Sequence, residues 1–311
     1  MKKNCISMME HPFQQPFTLA EESYLCGHDK NLKTLEAGEV LIQEGARDRD
    51  MWLLIKGRFV VIKKVQPNFP IGSLQSGSFC GEIAWFTGLP RTASVIATEP
   101  GLVLRLRYED LDGIDPALLL KIYHNTLADV TQRKNLMNQV LFRLAGLERT
   151  YYGADGIHSP VGYIKGDPFF VGFTPEEERQ VRALPSGPER YRAGEMIFRE
   201  GAGYDSFFLL LRGSALINLN QDPGLTLIHL GAERVMGMDV FFSGGQQGCN
   251  IVAVEQCEGL RISLEAFHTL DVSCKLKFYW QMALHLISRL SSFSVAKIKL
   301  EHMEGNMWFG G

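Results

Sequence analysis

The sequence predicts a mainly β protein with flanking helices, built as two tandem β-rolls (jelly-roll, or double-stranded β-helix, domains) that are each closed by a long amphipathic helix. Three observations lead to this fold class. The 311 residues are enough for about two domains. The two halves repeat each other, and each half combines short β-rich runs between glycine turns with a long helical pattern at its end. The chain is 45% hydrophobic and 22% charged, which is the balance of an ordinary globular protein.

The internal repeat is the strongest of these observations. A shift of 156 residues aligns the halves without a gap over most of their length. It places Ala37-Gly38-Glu39 on Ala193-Gly194-Glu195, and Glu44-Gly45-Ala46 on Glu200-Gly201-Ala202. Glycine supplies backbone angles that other residues avoid, so matched glycines at irregular intervals predict matched turns. The chain is therefore interpreted as a duplication.

Both halves begin with the same helix-start pattern. Thr18 and Thr174 are each followed three residues later by an acid, Glu21 and Glu177, as in a capping box. Pro175 stands at the first helical position, where its missing N–H costs nothing. Short strands are predicted after these helices. They are residues 51–55, 59–63, 94–98 and 103–106 in the first half, and 207–211, 216–219, 251–254 and 260–263 in the second.

Each half ends with apolar residues spaced alternately three and four apart, which predicts a long helix with a 3.5-residue seam. The seam positions are Leu120, Tyr123, Leu127, Val130, Lys134, Met137, Leu141 and Leu144, and then Leu276, Tyr279, Ala283, Leu286, Leu290, Phe293, Lys297 and Leu300. Two interpretations stay open, because a core-facing helix shows nearly the same pattern as a helix that pairs with another chain. The second interpretation predicts a homodimer through the long helices.

These patterns divide the chain into five segments. The predicted segments are an N-terminal tail (1–16), a first β-roll domain (17–145), a linker rich in glycine and aromatic residues (146–172), a second β-roll domain (173–304) and a C-terminal tail (305–311).

One stretch of the first half, residues 79–94, carries the chemistry. Gly81 permits a tight turn, the residues from Glu82 to Phe86 can form one helical turn, and Arg91 follows within reach. A helix N-terminus beside a planar guanidinium suits a phosphate group. A carboxylate would repel phosphate, so Glu82 fits such a site only if it accepts a hydrogen bond from another part of the ligand, such as a ribose hydroxyl. The pattern therefore predicts a nucleotide site.

This stretch resembles the phosphate-binding cassette of the cyclic nucleotide-binding domain family. The resemblance extends to Gly38, Gly45 and Gly57, to the β-roll and to the closing helix, and so covers nearly the whole first half. It implies a cyclic mononucleotide ligand, cAMP or cGMP, and no further cofactor or metal. It also implies that Glu82 binds the ribose and Arg91 the cyclic phosphate. The implied ligand-binding residues are Gly81, Glu82, Ile83, Ala84, Arg91, Thr92 and Ala93.

The cassette departs from the family pattern at two positions. Cys80 stands where the pattern prefers a larger hydrophobic residue, and Trp85 where it prefers an aliphatic one. Neither departure removes a ligand-binding group.

The second half has lost the ligand-binding groups. In the 156-residue register Glu82 aligns with Met238 and Arg91 with Gln247. Asp239 could imitate Glu82, but no basic residue lies between it and Cys249 to take a phosphate charge. The second domain is therefore interpreted as a degenerate copy, and one nucleotide per chain is expected.

One short stretch of the first long helix allows two interpretations. Lys134 interrupts the apolar seam, with Arg133 and Asn135 beside it. These residues could cap the base of the nucleotide, or they could form an ordinary solvated helix face.

The rest of the sequence predicts a non-enzymatic cytoplasmic protein that signals through a protein partner. The net charge of −3 does not indicate any class of binding partner, and no apolar run approaches the ~20 residues that span a bilayer. The six cysteines form no Cys-x-x-Cys pair, which indicates a reducing compartment. Residues 301–311 are too few for a DNA-reading domain, and residues 1–16 contain no Arg-Arg pseudosubstrate of the kind found in the regulatory subunit of cyclic-AMP-dependent protein kinase.

Two alternatives stay open. One is a ligand-free scaffold protein with two vestigial pockets. The other is a cupin-like metalloenzyme, although no strand carries a His-x-His pair.

Overall fold

The computed structural model describes residues 15–27, 31–152, 163–164, 169–184, 188–220, 226–242, 244 and 246–309, with side chains left undescribed at 141–152, 163–164, 240, 291 and 293–309. The chain divides into two compact units, residues 1–129 and 130–311. This boundary lies earlier than the predicted domain end at 145. The reason is that the later turns of the first long helix make their contacts within the second unit, as Met137 does against its core.

The first unit is a roll of two antiparallel sheets. Its helices are α1 (Leu19–Cys26), α2 (Glu82–Thr87), a 3-10 helix (Tyr108–Gly113) and the start of α3 (Pro116–Tyr152). Its strands are β1 (Leu32–Leu35), β2 (Val40–Ile42), β3 (Met51–Lys56), β4 (Phe59–Ile62), β5 (Gly72–Leu74), β6 (Phe79–Cys80), β7 (Ser94–Ala97) and β8 (Gly101–Leu106). The sheets have the orders β1-β8-β3-β6 and β2-β7-β4-β5. Buried residues of both, such as Leu54 and Phe59, form one core between them.

The second unit repeats this plan. Its further helices are α4 (Pro175–Arg182), α5 (Met238–Phe242), α6 (Leu264–His268) and α7 (Val272–Phe309). Its strands are β9 (Tyr163–Ile164), β10 (Pro188–Tyr191), β11 (Met196–Phe198), β12 (Ser206–Arg212), β13 (Ala215–Asn218), β14 (Ile228–Leu230), β15 (Arg234–Met236), β16 (Asn250–Ala253) and β17 (Cys257–Ser263). The sheets have the orders β10-β17-β12-β15 and β11-β16-β13-β14-β9. Strand β9 comes from the predicted linker and pairs in parallel with β14.

The backbone confirms the duplication in detail. The ladder between β3 and β8 shifts register between Leu54 and Lys56, and the ladder between β12 and β17 shifts between Leu210 and Arg212. These positions are aligned by the 156-residue register. Five aligned glycine pairs also share a positive φ, which confirms the matched turns: Gly38 and Gly194, Gly45 and Gly201, Gly57 and Gly213, Gly81 and Gly237, Gly88 and Gly244.

The predicted helix starts are also confirmed. The Thr18 hydroxyl accepts a hydrogen bond from the Glu21 amide, the Glu21 carboxylate accepts one from the Thr18 amide, and Thr174 and Glu177 do the same. In the second unit, burial alone would raise the pKa of Glu177. Hydrogen bonds from the Lys277 ammonium at 2.6 Å and from Thr174 and Ser273 instead lower that pKa to about 2.

The long helices extend farther than predicted and pack within their own units. Helix α3 passes through Gly146, because a single glycine costs only about 1 kcal/mol in a helix interior. In the first unit Tyr123 and Leu127 are buried, and in the second unit Leu286 is buried as well. This part of each seam is therefore core packing. The seam positions Leu141, Leu144, Phe293, Lys297 and Leu300 lie outside the described side chains.

The predicted linker is only partly described. Phe169 is fully buried against the ring of Phe278, with the ring centres 4.7 Å apart. Residues 153–162 and 165–168 lie outside the described residues. Among the described residues, none of the helices combines the length and the hydropathy that a span of the bilayer requires.

Candidate functional site

The candidate site begins with a tight turn between β6 and α2. Gly81 is the N-cap of α2 and has φ 87°. A Cβ atom at this position would lie 2.5 Å from Arg91 Nη1 and 2.7 Å from the Asp50 carbonyl oxygen. Both the backbone angle and the close approach therefore require glycine. Glu82 follows as the first residue of α2 and is 4% exposed.

The Arg91 guanidinium lies in this turn and is held by four hydrogen bonds. Nη1 donates to the Gly81 carbonyl at 3.0 Å, and Nη2 donates to the Asp50 carbonyl at 2.5 Å. Nη2 also forms an ion pair with Asp48, and Nε donates to the same carboxylate at 3.4 Å. The Arg91 side chain is 2% exposed and the Asp48 side chain is 52% exposed. The carboxylate therefore occupies the fork of the guanidinium from the solvent side.

The backbone of Arg91 is fixed to a neighbouring loop. Its amide donates to the Ala46 carbonyl at 2.8 Å, and its carbonyl accepts from the Gly45 amide at 2.8 Å. Thr92 and Ala93 continue from this anchor into β7 and are half-buried. The structure thus brings the two ends of the predicted site, Gly81 and Arg91, into direct contact.

Arg49 holds the far end of α2. Its guanidinium donates to the Trp85 carbonyl at 2.8 Å and to the Ala84 carbonyl at 3.3 Å, at the helix C-terminus. It also lies 3.6 Å from the centre of the Tyr108 ring, which packs edge-to-face on Trp85. Trp85 is fully buried, so the departure from the family pattern at this position is a core side chain beneath the site.

Asp50 connects the site to the 3-10 helix. Its carbonyl accepts from Arg91, and its carboxylate accepts from Arg105 Nε at 2.7 Å and from the Tyr108 amide at 3.0 Å. The sequence contains no motif that marks Asp48, Arg49 or Asp50. Their hydrogen-bond partners lie 35 to 58 residues away along the chain, so only the folded structure identifies them.

The second roll keeps the frame of this site and lacks its charges. The Gln247 amide donates to the Ala202 carbonyl at 3.0 Å, and its carbonyl accepts from the Gly201 amide at 2.8 Å, which reproduces the anchoring of Arg91. The Gln247 side chain carries no charge and donates to Cys249 Sγ at 3.5 Å. Met238, aligned with Glu82, is 2% exposed. Neither residue can bind a phosphate or a ribose as a charged group would.

Two of the three predicted base-capping residues, Lys134 and Asn135, make contacts within the second unit. Lys134 is 2% exposed and forms an ion pair with Asp239, inside the second unit. Asn135 contacts Gly248 in the same unit. Base capping by Lys134 in the first roll is therefore corrected, because its ammonium is already paired in a buried position. The solvated-face interpretation of Lys134 is wrong for the same reason.

Comparison with known families agrees with this geometry. A model of the cyclic nucleotide-binding domain family matches residues 32–114 and again residues 188–271, which together are more than half of the chain. The chain belongs to the cyclic nucleotide-binding domain family. It contains two tandem copies of the domain, and the predicted fold class is confirmed.

Several solved structures are similar to the chain. The regulatory domain of Toxoplasma gondii PKA, co-crystallised with cAMP, is 17% identical over 83% of this chain and 87% of that chain, with a TM-score of 0.31. A cyclic nucleotide-binding domain from Methylobacillus flagellatus KT is 25% identical over 42% of this chain and 75% of that chain, with a TM-score of 0.34. The regulatory subunit of a cAMP-independent protein kinase A from Trypanosoma brucei is 14% identical over 83% and 77%, with a TM-score of 0.28. No curated protein sequence matches the chain.

Proposed function

We propose that the first roll binds one cyclic mononucleotide, cAMP or cGMP, and that the chain is a non-enzymatic, cytoplasmic regulatory protein that passes this binding event to a protein partner. The observation that carries the proposal is the buried guanidinium of Arg91 beside the start of α2, in a roll of the cyclic nucleotide-binding family. A helix N-terminus and a guanidinium together favour a phosphate group.

Each residue of the site has a proposed role. Arg91 binds the cyclic phosphate, and Glu82 accepts a hydrogen bond from the ribose 2′-hydroxyl. The backbone around Ile83, Ala84 and Thr92 completes the cradle, together with that of Ala93. Gly81 supports the roles of the others, since it alone permits the approach of Arg91 to the turn. A phosphate that binds Arg91 must share or replace the contact with Asp48.

Calorimetric titration of the full chain with cAMP and with cGMP tests the proposal. We expect one nucleotide per chain, since Met238 and Gln247 cannot supply the carboxylate and the guanidinium. The titration also decides which base is preferred. Two equivalent sites would contradict the proposed degeneracy of the second roll, and no binding of either nucleotide would contradict the proposed function itself.

Signalling requires an element that differs between the free and the bound state, because a ligand shifts an equilibrium only by its differential affinity. We propose helix α3 as this element, since it follows the first roll directly and continues to Tyr152. Hydrogen exchange with and without saturating nucleotide is the measurement. Protection is expected to rise at residues 79–94 and also along 116–145 and 146–172. A rise at residues 79–94 alone would show that α3 is not the switch.

A homodimer through the long helices is the remaining part of the proposal. The described seam residues of the central turns are core packing, so the contact would use the later turns of α3 and α7. Sedimentation at micromolar concentration is expected to show a species of twice the 34.9 kDa chain mass. A single species at 34.9 kDa would contradict the dimer.

A further inference from the structure

The second roll has replaced its ligand-binding groups with a different set of buried residues. The 156-residue register aligns Ile83 with Asp239, Thr92 with Gly248, and Ala93 with Cys249. Asp239 and Cys249 are each 1% exposed. A buried carboxylate therefore stands in the segment where the first roll has an apolar residue, and burial of a charge is costly unless it is paired.

Both oxygens of the Asp239 carboxylate are bound. Oδ1 forms an ion pair with the ammonium of Lys134, from α3, and Oδ2 accepts a hydrogen bond from the Gly248 amide at 3.2 Å. The Lys134 and Asp239 side chains are only 3% and 2% exposed. Gly248 is aligned with Thr92, whose backbone is part of the proposed phosphate cradle of the first roll. The Asp239 carboxylate thus accepts a hydrogen bond from a backbone amide whose counterpart in the first roll belongs to the proposed phosphate cradle.

A neighbouring residue of α3 fills the space over Gly248. A Cβ atom on Gly248 would lie 2.8 Å from Asn135 Oδ1 and 2.9 Å from Asn135 Cγ. The φ of Gly248 is outside the left-handed region, so its backbone would accept another residue. A side chain at this position would require Asn135 to shift, whereas the aligned position 92 carries threonine.

Further contacts close this region. Met137, one helical turn after Lys134, packs on the core cluster that contains Cys249 and Ile251. From α7, Arg289 is 3% exposed and donates to the Val235 carbonyl at 3.3 Å. Burial raises the pKa of the Cys249 thiol to about 11, and the charges that act on this thiol are those of Lys134, Asp239 and Arg289. The ion pair, the thiol and the guanidinium are therefore all buried, and their charges act on one another.

We propose that the nucleotide pocket of the second roll is a binding site for the chain's own helix α3, in which the Asp239 carboxylate takes the place of an anionic ligand and Lys134, Asn135 and Met137 fill the pocket. The second roll is then a copy whose pocket is occupied by part of the same chain. This inference does not depend on nucleotide binding by the first roll, since all of its contacts lie within residues 130–311.

The labelling of Cys249 tests the occupancy in the full-length chain. N-ethylmaleimide modification, followed by peptide mass spectrometry, gives a rate for each cysteine, and the measured quantity is the ratio of the Cys249 rate to the Cys274 rate. Cys274 is a suitable internal reference because it is fully buried in the same unit. Variant-to-native comparison of this ratio cancels the different intrinsic reactivities of the two thiols when the charges beside Cys249 are unchanged, as in the Gly248→Ala variant described below. Loss of the Lys134 charge would by itself raise the pKa of the Cys249 thiol and slow its reaction, so a faster reaction in a Lys134 variant reports exposure.

The variants Lys134→Met and Asp239→Asn each remove one member of the pair and leave the other charge without its partner. Each is expected to raise the ratio at least tenfold. The double variant Lys134→Met with Asp239→Asn removes both charges and is expected to return the ratio to within a few fold of the native value. Lys121→Ala is the matched control, because Lys121 lies on the same helix as Lys134 and forms its ion pair, with Glu21 of α1, inside the first unit. It should leave the ratio unchanged.

A further variant keeps all charges and tests the packing. Gly248→Ala adds one methyl group against Asn135 and is also expected to raise the ratio. The proposal is overturned if Lys134→Met and Gly248→Ala both leave the ratio at its native value. General unfolding would expose both cysteines alike and leave the ratio unchanged, so it counts as this negative outcome. It is also overturned if the effects of the two charge variants simply multiply in the double variant. Failure of the first roll to bind a nucleotide would change none of these outcomes.

Discussion

Arg91→Ala is expected to weaken cyclic nucleotide binding by far more than tenfold. Truncating one member of a buried charged pair costs about 2–5 kcal/mol, and every 1.4 kcal/mol is about tenfold in affinity. Arg91 is 4% exposed and is the guanidinium that directly contacts the turn before α2. Calorimetry of the variant with the nucleotide that the native chain prefers measures the effect.

Two further variants serve as controls for the position and for the charge of Arg91. Gln247→Ala changes the aligned position of the second roll and is expected to leave the affinity unchanged. Arg91→Lys keeps the positive charge but loses the planar fork, so its affinity should fall between those of the native chain and Arg91→Ala. An Arg91→Ala protein that melts like the native chain and binds with native affinity would remove the proposed site.

Gly81→Ala is expected to abolish detectable binding without removing any charged group. The new methyl group would lie 2.5 Å from Arg91 Nη1 and 2.7 Å from the Asp50 carbonyl oxygen, so the guanidinium and the turn would have to separate. The φ of 87° adds about 1–2 kcal/mol of backbone strain for alanine. Nucleotide titration and a thermal melt of the same preparation separate loss of the site from loss of the fold.

Gly38→Ala is the control for the strain alone. Gly38 has φ 89°, and nothing lies within 4 Å of the Cβ position. Both variants should therefore lose similar stability through the backbone, while only Gly81→Ala should lose the ligand. Equal affinities of the two variants would show that the approach of Arg91 to Gly81 is unimportant for binding.

The features that the sequence predicts correctly are those set by local physics. The capping box of Thr18 and Glu21 spans three residues, and the aligned glycines of the two halves mark turns that need a positive φ. The approach of Arg91 to Gly81 is predictable for the same reason, because the two residues fall within one short stretch of chain. Duplication strengthened the prediction of the turns, since the same glycines recur in both halves.

Features that depend on distant partners were not predictable. Asp48 pairs with Arg91 across 43 residues, and Lys134 pairs with Asp239 across 105 residues. Neither pair follows a helical or strand period. The seam pattern shows the related difficulty, because the spacing around Leu127 establishes a helix and one apolar face without identifying what covers that face. The structure shows that Leu127 is buried within its own unit.

The pairing of Asp48 with Arg91 gives the first roll a means of rejecting small anions. The carboxylate is tethered to the same roll, so its effective concentration at the guanidinium is on the order of millimolar or higher. Chloride would have to displace it with a single contact, and inorganic phosphate without the contact to Glu82 that a ribose would add. A ligand that also engages Glu82 and the cradle would gain several contacts at once, and only such a ligand would compete successfully. Selectivity for a whole nucleotide would then arise from the number of simultaneous contacts, at a guanidinium that stays electrically neutralised until that ligand arrives.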